Sequence, residues 1–257
     1  MSHPATTGMQ PVGPSAVPAV GEVFTPTGRQ AAPVPRALDT AEMPEHVASY
    51  ASAARRAVDA GFDGVELHGA NGYLISQFLS SAANLRTDAY GGSVRNRVRF
   101  AVEAAAATVD AVGAHRTGIR LSPGAGLWGT AETDILELYT ALLAELATLD
   151  LAYVHLEAST DETVLLGLRR TWLGALIVNP VFPLGPRQAD RSAADHWLAL
   201  GADLISFGRA YIANPDLVER LRLDLPVAPH DEATWFDGGD TGYLTYPTYH
   251  HVAPARG

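Results

Sequence analysis

An imidazole, a carboxamide and a phenol lie within six residues of one another in a glycine-containing stretch. They belong to His68, Asn71 and Tyr73, with two glycines between them. The preceding residues, 62–67, have the pattern of a β-strand, and α/β folds place their chemistry where such strands end. The alternative is an ordinary polar loop in which His68 is a half-buried, hydrogen-bonded residue. This stretch alone does not decide between the two.

An arginine, Arg120, interrupts a second predicted strand between two apolar residues. A guanidinium is rarely buried without an anionic or carbonyl partner. Two interpretations are open: Arg120 contacts an anionic or carbonyl ligand, or it forms an internal ion pair with Glu66 or Glu157. We interpret His155 and Glu157, at the end of a third predicted strand, as packing and hydrogen-bonding residues rather than catalytic ones.

Gly208 and Arg209 follow the last predicted strand. A turn of this composition lets backbone N–H groups approach a phosphate while the guanidinium pairs with it. In (β/α) barrels the turns after the last two strands commonly bind phosphate. The alternative is a plain turn with a solvated arginine. Together with Arg120, the turn predicts a phosphate-bearing cofactor that lies across the strand ends.

Strands and helices alternate along most of the chain and would position these side chains. Residues 1–38 are rich in proline and glycine, which predicts an extended loop or arm with one short strand at 20–24. Residues 39–257 are predicted to form one domain. Its strands are expected at 62–67, 117–121, 151–156, 175–178 and 203–207, and its helices at 39–60, 98–112, 130–149, 161–170, 189–200 and from Asn214-Pro215 onward. Asp39 with Glu42 and Ser159 with Glu162 are the predicted capping pairs of the first and fourth helices, and Ser122-Pro123-Gly124 is the turn predicted after the strand at 117–121.

This alternation, with apolar strands of the kind buried on both faces, predicts the α/β class and a parallel sheet covered by helices. The leading architecture is a (β/α)8 barrel of the TIM type, with about five C-terminal strand–helix units. A closed barrel needs eight strands, and 38 residues cannot hold three units of roughly 30 residues each. Either the sheet is open, or part of the barrel is not encoded in this chain.

Composition excludes several kinds of site. The 257 residues contain no cysteine, which excludes disulfides, iron–sulfur clusters and thiolate zinc sites, and we assign no metal ligands. A net charge of −10 with 18 Lys and Arg argues against nucleic-acid binding. The absence of a membrane-length apolar run or a signal segment predicts a cytoplasmic protein. The predicted cofactor and the cluster of His68, Asn71 and Tyr73 indicate a small-molecule substrate. A homo-oligomer stays open.

Five segments resemble the Old Yellow Enzyme family of FMN-dependent ene-reductases, in family order and at family spacing. The similarity runs from residue 2 to residue 247, and its segments are 61–74, 86–93, 118–123, 207–217 and 242–247. The resemblance implies a flavoprotein that reduces activated C=C bonds of α,β-unsaturated carbonyl compounds. FMN would carry out the hydride chemistry and NADPH or NADH would be the reductant.

The resemblance also implies roles for single residues. His68 and Asn71 match the pair that hydrogen-bonds the substrate's carbonyl oxygen, where charge develops during the reaction. Tyr73 matches the proton donor to the α-carbon, since a phenol stays protonated at neutral pH. Arg120 matches the arginine beside the flavin's pyrimidine edge.

The FMN phosphate would be bound by Gly208 and Arg209. The family's Gly-Gly turn is replaced here by Val178-Asn179-Pro180-Val181-Phe182. Asn179 could still reach the phosphate, whereas Pro180 offers no N–H. Phe236 stands where the family often has a tyrosine, so it would keep a stacking surface against the substrate without the hydroxyl.

Two further interpretations accompany this one. Because about three strands of the family barrel have no counterpart in the sequence, the chain could be a truncated, non-catalytic or partner-requiring remnant of a flavin barrel. It could also be a phosphate-binding barrel of the isomerase or lyase type, which would leave His68, Asn71 and Tyr73 without a role.

Overall fold

The computed structural model describes residues 3–180, 189–236 and 238–249. Ser2, the end of the turn at Val181-Phe182, and Asp237, which adjoins Phe236, lie outside the described residues. Contacts divide the chain into two compact units, Met1–Ile177 and Val178–Gly257, and each is described separately. The division expected from the sequence, an arm at 1–38 followed by one domain at 39–257, stays a prediction.

The first 38 residues contain more regular elements than the one short strand predicted at 20–24, which is present at Glu22–Thr25. A helical turn α1 and four short strands occur there: α1 (Pro4–Thr7), β1 (Val12–Gly13), β2 (Glu22–Thr25), β3 (Gly28–Ala31) and β4 (Arg36–Ala37). Strands β2 and β3 form an antiparallel hairpin, and β1 pairs in parallel with β4. The hairpin strands are mostly exposed and carry polar residues, so they lack the apolar alternation that reveals a strand.

The remainder of the first unit alternates between strands and helices, as predicted. Its elements are α2 (Met43–Asp59), β5 (Val65–Gly69), α3 (Leu74–Leu79), α4 (Val94–Val112), β6 (Thr117–Leu121), α5 (Ile135–Ala147), β7 (Tyr153–Glu157) and α6 (Glu162–Thr171). The next strand, β8 (Leu176–Asn179), includes the boundary between the units. β6 has the predicted limits, and the other strands begin one to three residues later than expected.

The described part of the second unit contains the end of β8, followed by α7 (Arg191–Ala199), β9 (Leu204–Ile205), α8 (Arg209–Ala213), α9 (Leu217–Leu223) and a 3-10 turn at Glu232–Thr234. The strands β5 to β9 form one sheet in sequence order. The pairings β5–β6 and β6–β7 are parallel. The prediction of an α/β architecture with about five consecutive strand–helix units is therefore confirmed.

Several helix ends differ from the predictions because side chains there have other partners. The α2 region begins as expected, since the backbone N–H of Asp39 donates to the Glu42 carboxylate over 2.7 Å. The predicted capping residue of α6, Ser159, instead donates to the carbonyl of Pro123, and Asp161 accepts from the backbone N–H of Thr163. The final helix begins at Leu217 rather than at Asn214-Pro215, and α8 precedes it.

The two faces of strands β5 to β7 differ in chemistry, which corrects the expectation of strands apolar on both faces. Leu67, Ile119, Leu121, Val154 and Leu156 are buried on one face. The alternate positions carry charged and polar side chains: Glu66, His68, Arg120, Tyr153, His155 and Glu157. We call this second set the polar face of the sheet. A row of paired residues crosses it, since His68 pairs with Arg120 and Arg120 with His155.

Aromatic packing holds the helices of the first unit beside the sheet. Phe78 of α3 and Phe100 of α4 are fully buried and stack with ring centroids 4.3 Å apart and planes at 19°. Tyr50 of α2 meets Phe100 edge-on at 6.1 Å. Because α3 begins directly after Tyr73, this cluster fixes the loop that carries the candidate catalytic residues.

Removing the N-cap of α4 is expected to destabilise the first unit. Ser93 accepts a hydrogen bond from the backbone N–H of Asn96 at 3.3 Å. Ser93→Ala should lower the free energy of unfolding by roughly 0.5–2 kcal/mol, measured by urea denaturation. Ser93→Asp should retain most of the stability because aspartate caps equally well. Equal losses in both variants would contradict the capping role.

Among the described residues, no helix is long and apolar enough to cross a membrane.

Candidate functional site

The three candidate catalytic side chains lie together at the carboxyl end of β5. His68 occupies the polar face one residue before the strand ends, so it lies within the strand and not after it. The rings of His68 and Tyr73 are tilted, with centroids 5.2 Å apart. Asn71 lies between them in the left-handed conformation, with φ at 58°. The end of β5 and the loop after it thus bring an imidazole, a carboxamide and a phenol to one edge of the sheet.

Asn71 is oriented by a residue from the neighbouring strand end. Its backbone N–H donates to the Oγ of Ser122 over 2.8 Å. Its side-chain Oδ1 is buried and has no hydrogen-bond partner among the described residues. A buried carbonyl oxygen without a partner is costly. The carboxamide is therefore placed for a polar group that the protein itself does not supply.

Gly72 allows this loop to approach the segment around Trp128. A Cβ on Gly72 would lie 2.8 Å from the carbonyl oxygen of Leu127 and 3.0 Å from the Trp128 ring, and φ is 76°. The Gly72 N–H donates to Ser76 Oγ at 3.2 Å, and Gln77 donates to the Gly72 carbonyl at 2.8 Å. Three contacts therefore fix the residue between Asn71 and Tyr73.

Gly72→Ala is expected to destabilise the first unit and displace the loop. Positive φ in a non-glycine residue costs on the order of 1–3 kcal/mol, and the clash adds to it. Thermal unfolding should show a lower Tm than that of the wild-type chain. Gly28→Ala is a suitable control, since its φ is also positive but nothing lies within 4 Å of the position that the added methyl group would occupy. A Gly72→Ala variant no less stable than the control would refute the close approach.

Arg120 lies on the polar face and contacts two side chains of β7. Its Nη2 lies 3.1 Å from a carboxylate oxygen of Glu157, and its Nη1 lies 3.4 Å from His155 Nε2. His155 Nδ1 in turn lies 2.9 Å from the Glu66 carboxylate. The ion pair with Glu157, one of the two open interpretations of Arg120, is thus present. His155 and Glu157 form hydrogen bonds, as the sequence predicted.

The polar face shifts the pKa values of its titratable groups. Partial burial, reinforced by the nearby Arg120 guanidinium, lowers the pKa of His68. Burial acts to raise the pKa of Glu66, but the hydrogen bond with His155 and the other polar and charged neighbours, Arg120 among them, together outweigh burial, so the pKa is lowered. Burial and the Glu66 carboxylate raise the pKa of Tyr153 to about 12. At neutral pH, His68 is therefore a neutral donor beside a cationic arginine.

The second unit carries the other predicted cofactor-binding residues. Gly208 and Arg209 are exposed at the start of α8. The Arg209 guanidinium lies over the Trp235 ring, 5.5 Å from its centroid. The Asn179 amide donates to the carbonyl of Ser206 over 3.0 Å. Phe236 is 88% exposed and meets the edge of Trp235. The roles of these four residues in binding FMN or substrate stay predictions.

The donors present suit FMN. At the start of α8 the first backbone N–H groups have no intrahelical acceptor, and a methyl group on Gly208 would meet nothing within 4 Å. This open approach beside the exposed Arg209 suits a phosphate. In the first unit, Arg120 offers a cation, and the Asn71 carboxamide has a buried Oδ1 acceptor without a partner among the described residues. A charged donor and a free acceptor suit a polar ring system that carries both carbonyl oxygens and an N–H group. The residues therefore fit the cofactor.

An apolar cavity of about 290 Å³ borders Tyr73 within the first unit. Its wall comes from both the N-terminal segment and the start of α3, and it includes Val12, Ala32, Tyr73, Leu74 and Gln77. The cavity shows that the side of Tyr73 facing the hairpin region is lined mainly by hydrocarbon.

Three features of the site were not predicted from the sequence. They are the hydrogen bond from Asn71 to Ser122, the packing of Trp128 against Gly72, and the link between Glu66 and His155. The sequence predicts Ser122 only as part of the turn that ends β6. For the contact between Glu66 and His155, the sequence offered one signal: polar residues occupy alternate positions of β5 and β7 and therefore point to one face of the sheet.

Known proteins resemble the chain in both sequence and structure. Residues 4–227 match the NADH:flavin oxidoreductase / NADH oxidase family. The chain is 44% identical over 225 residues to a chanoclavine-I aldehyde reductase of Penicillium roqueforti, covering 84% of this chain and 60% of that protein. It is 38% identical over 250 residues to 12-oxophytodienoate reductase 1 of Oryza sativa subsp. japonica, covering 95% and 66%.

A solved structure of morphinone reductase in complex with tetrahydroNAD superposes with a TM-score of 0.86 and 38% identity, covering 96% of this chain and 69% of that one. This likeness confirms the barrel type of the five strand–helix units. The chain spans 60% to 69% of the length of these three proteins.

Proposed function

Since the chain belongs to the NADH:flavin oxidoreductase / NADH oxidase family, which includes the Old Yellow Enzymes, we propose that it is an FMN-dependent oxidoreductase. It would use NADPH or NADH to reduce activated C=C bonds of α,β-unsaturated carbonyl compounds. The observation that carries the proposal is the convergence of His68, Asn71 and Tyr73 at the carboxyl end of β5, on the sheet edge that also carries Arg120. The relatives' names, as reductases of an aldehyde and of an oxo compound, support the substrate class.

His68 and Asn71 would bind the substrate's carbonyl oxygen. The lowered pKa of His68 leaves a neutral imidazole that donates one N–H, and the Asn71 carboxamide supplies a second donor. Both hydrogen bonds strengthen as negative charge develops on that oxygen, so they stabilise the transition state more than the ground state. The Ser122 contact and the left-handed backbone hold Asn71 in position.

Tyr73 would donate the proton. Its Oη would transfer a proton to the α-carbon, and the phenolate formed would be reprotonated from solvent, since Tyr73 is 43% exposed. The apolar cavity beside Tyr73 would exclude water from one side of the ring.

Bound FMN would supply the hydride for the β-carbon and be restored by NAD(P)H. Gly208 and Arg209 would bind its phosphate, with Asn179 as a further donor, and Arg120 would place a positive charge beside its ring system. Phe236 would contact the substrate. We further propose a cytoplasmic location, and a homo-oligomer remains compatible with the proposal.

Cofactor binding by the purified chain tests the proposal. Incubated with FMN and passed through a desalting column, the chain should remain yellow, and anaerobic NADPH should bleach it. A subsequent addition of 2-cyclohexen-1-one should restore the colour. A colourless protein that does not quench FMN fluorescence would refute the proposal for this chain.

A second candidate is a portion of a flavin barrel that is inactive alone and acts with another polypeptide. The sheet formed by the described residues has five strands, whereas a closed barrel has eight, and this difference favours the second candidate. It predicts FMN retention only after a polypeptide carrying the remaining strands is added, for example the N-terminal third of a relative. FMN retention by the chain alone would exclude it.

A further inference from the structure

Arg120 is held from one side by two residues of β7. His155 is only 5% exposed and lies directly opposite Arg120 in the strand register. Its Nε2 lies 3.4 Å from Arg120 Nη1, while Glu157 accepts from Arg120 Nη2 at 3.1 Å. Two acceptors on two different terminal nitrogens determine the plane of the guanidinium as well as its position.

The identity of the donor decides the protonation state of His155. A guanidinium has N–H donors and no acceptor, so the contact between Arg120 and His155 Nε2 is a hydrogen bond only if Nε2 is unprotonated. The proton of the neutral ring then lies on Nδ1. That nitrogen is 2.9 Å from the Glu66 carboxylate, which accepts it. One tautomer of a neutral imidazole satisfies both of these contacts.

We infer that His155 is a positioning residue for Arg120, fixed as the neutral Nδ1–H tautomer by Glu66 and accepting an N–H of Arg120 at Nε2. The chain of contacts runs from Glu66 on β5 to His155 on β7, and back to Arg120 on β6. A protonated His155 would break this arrangement, since it would direct an N–H at a guanidinium and place two cations side by side.

Gly118, two residues before Arg120 on β6, leaves space for a neighbouring side chain of the polar face. Gly118 pairs with Tyr153, and a Cβ on Gly118 would lie 2.4 Å from the Tyr153 ring. Without that Cβ, the Tyr153 ring has room beside β6 on the same face as Glu66, whose carboxylate helps to raise the pKa of Tyr153. The Glu66 carboxylate itself contacts the His155 imidazole, 2.9 Å from Nδ1.

The functional consequence rests on the proposed function, in which Arg120 lies beside the flavin. An arginine that can rotate delivers its charge less effectively to one edge of a ring. His155→Leu removes both hydrogen bonds and should weaken FMN binding about tenfold or more, and should lower the flavin midpoint potential. His155→Gln can donate to Glu66 and accept from Arg120, so it should stay within about threefold of wild type.

The tautomer can be measured without any cofactor. In the ¹⁵N-labelled wild-type chain at pH 7.5, imidazole spectra of His155, assigned with the His155→Gln variant, should show a protonated Nδ1 and an unprotonated Nε2. A charged ring or a proton on Nε2 overturns the inference, whether or not FMN binds. If the tautomer is as expected but no variant binds FMN, the proposed function fails and the arrangement stands.

FMN titration of the variants then tests the positioning role. Val154→Ala is the matched control. Val154 is buried on the apolar face of β7, opposite the polar face, so the variant should lower stability without changing FMN affinity. Melting temperatures identify any variant that fails to fold. Loss of affinity in His155→Leu with rescue by His155→Gln supports positioning. Equal affinity in His155→Leu and wild type, or equal loss in both His155 variants, overturns it.

Discussion

Tyr73→Phe is expected to reduce activated C=C bonds about 10²- to 10⁴-fold more slowly than the wild-type protein, because it lacks the phenolic proton for the α-carbon. The ring remains, so its packing against His68 and the apolar cavity should persist. Anaerobic stopped-flow absorbance separates the two halves of the reaction. Bleaching by NADPH should keep its wild-type rate, and only recolouring by the enone should slow.

Tyr243→Phe is the matched control for this experiment. Tyr243 is 80% exposed, and its variant should recolour at the wild-type rate. A Tyr73→Phe variant that recolours as fast as this control would show that the proton comes from another group. Equal slowing of bleaching by NADPH and of recolouring by the enone would indicate that the substitution disturbs the fold and does not merely remove the proton donor.

Asn71→Ala is expected to slow enone reduction by roughly 10²- to 10³-fold, the usual effect of removing one donor to a developing oxyanion. Binding of an inert phenol such as 4-hydroxybenzaldehyde, followed by absorbance changes, should weaken as well. Ser122→Ala leaves the carboxamide in place and removes only the acceptor of the Asn71 backbone N–H. Its loss should therefore be much smaller, within about tenfold.

These two variants also test whether position or identity matters at residue 71. A loss in Ser122→Ala as large as that in Asn71→Ala would place most of the effect in loop geometry. If Asn71→Ala reduced the enone at the wild-type rate, His68 alone would hydrogen-bond the substrate's carbonyl oxygen. In that case His68→Ala should show the full 10²- to 10³-fold decrease in rate.

Local patterns in the sequence were sufficient for the main elements of the fold. The Asp39 and Glu42 pair predicted a helix start because capping depends on residues three positions apart. The limits of β6 were predicted because a short apolar run lies between polar turns. The start of β5 was predicted too early, since Phe62 is apolar but 65% exposed, and its N–H still bonds to the carbonyl of Ala57 at the end of α2.

The finer geometry of the site depends on contacts between residues far apart in sequence. Asn71 and Ser122 are 51 positions apart, and Glu66 and His155 are 89 positions apart. No local pattern encodes such pairs, because each depends on strand register. For Arg120, the residue type showed that a partner was required, and only the structure identified Glu157 and His155.

The tight packing around Gly72 also affects the chemical stability of Asn71 over time. Asparagine is a thermolabile residue, and a following glycine favours deamidation. The glycine nitrogen attacks the side-chain carbonyl carbon, ammonia leaves, and water opens the resulting succinimide to aspartate or isoaspartate. In the folded loop the Gly72 N–H is bonded to Ser76, and the Leu127 carbonyl and the Trp128 ring crowd the Gly72 backbone. Cyclisation needs a mobile backbone, so the native loop protects its own carboxamide. Partial unfolding during storage would instead convert Asn71 into a carboxylate that repels the substrate's developing charge, and the activity would be lost irreversibly although the chain stays intact.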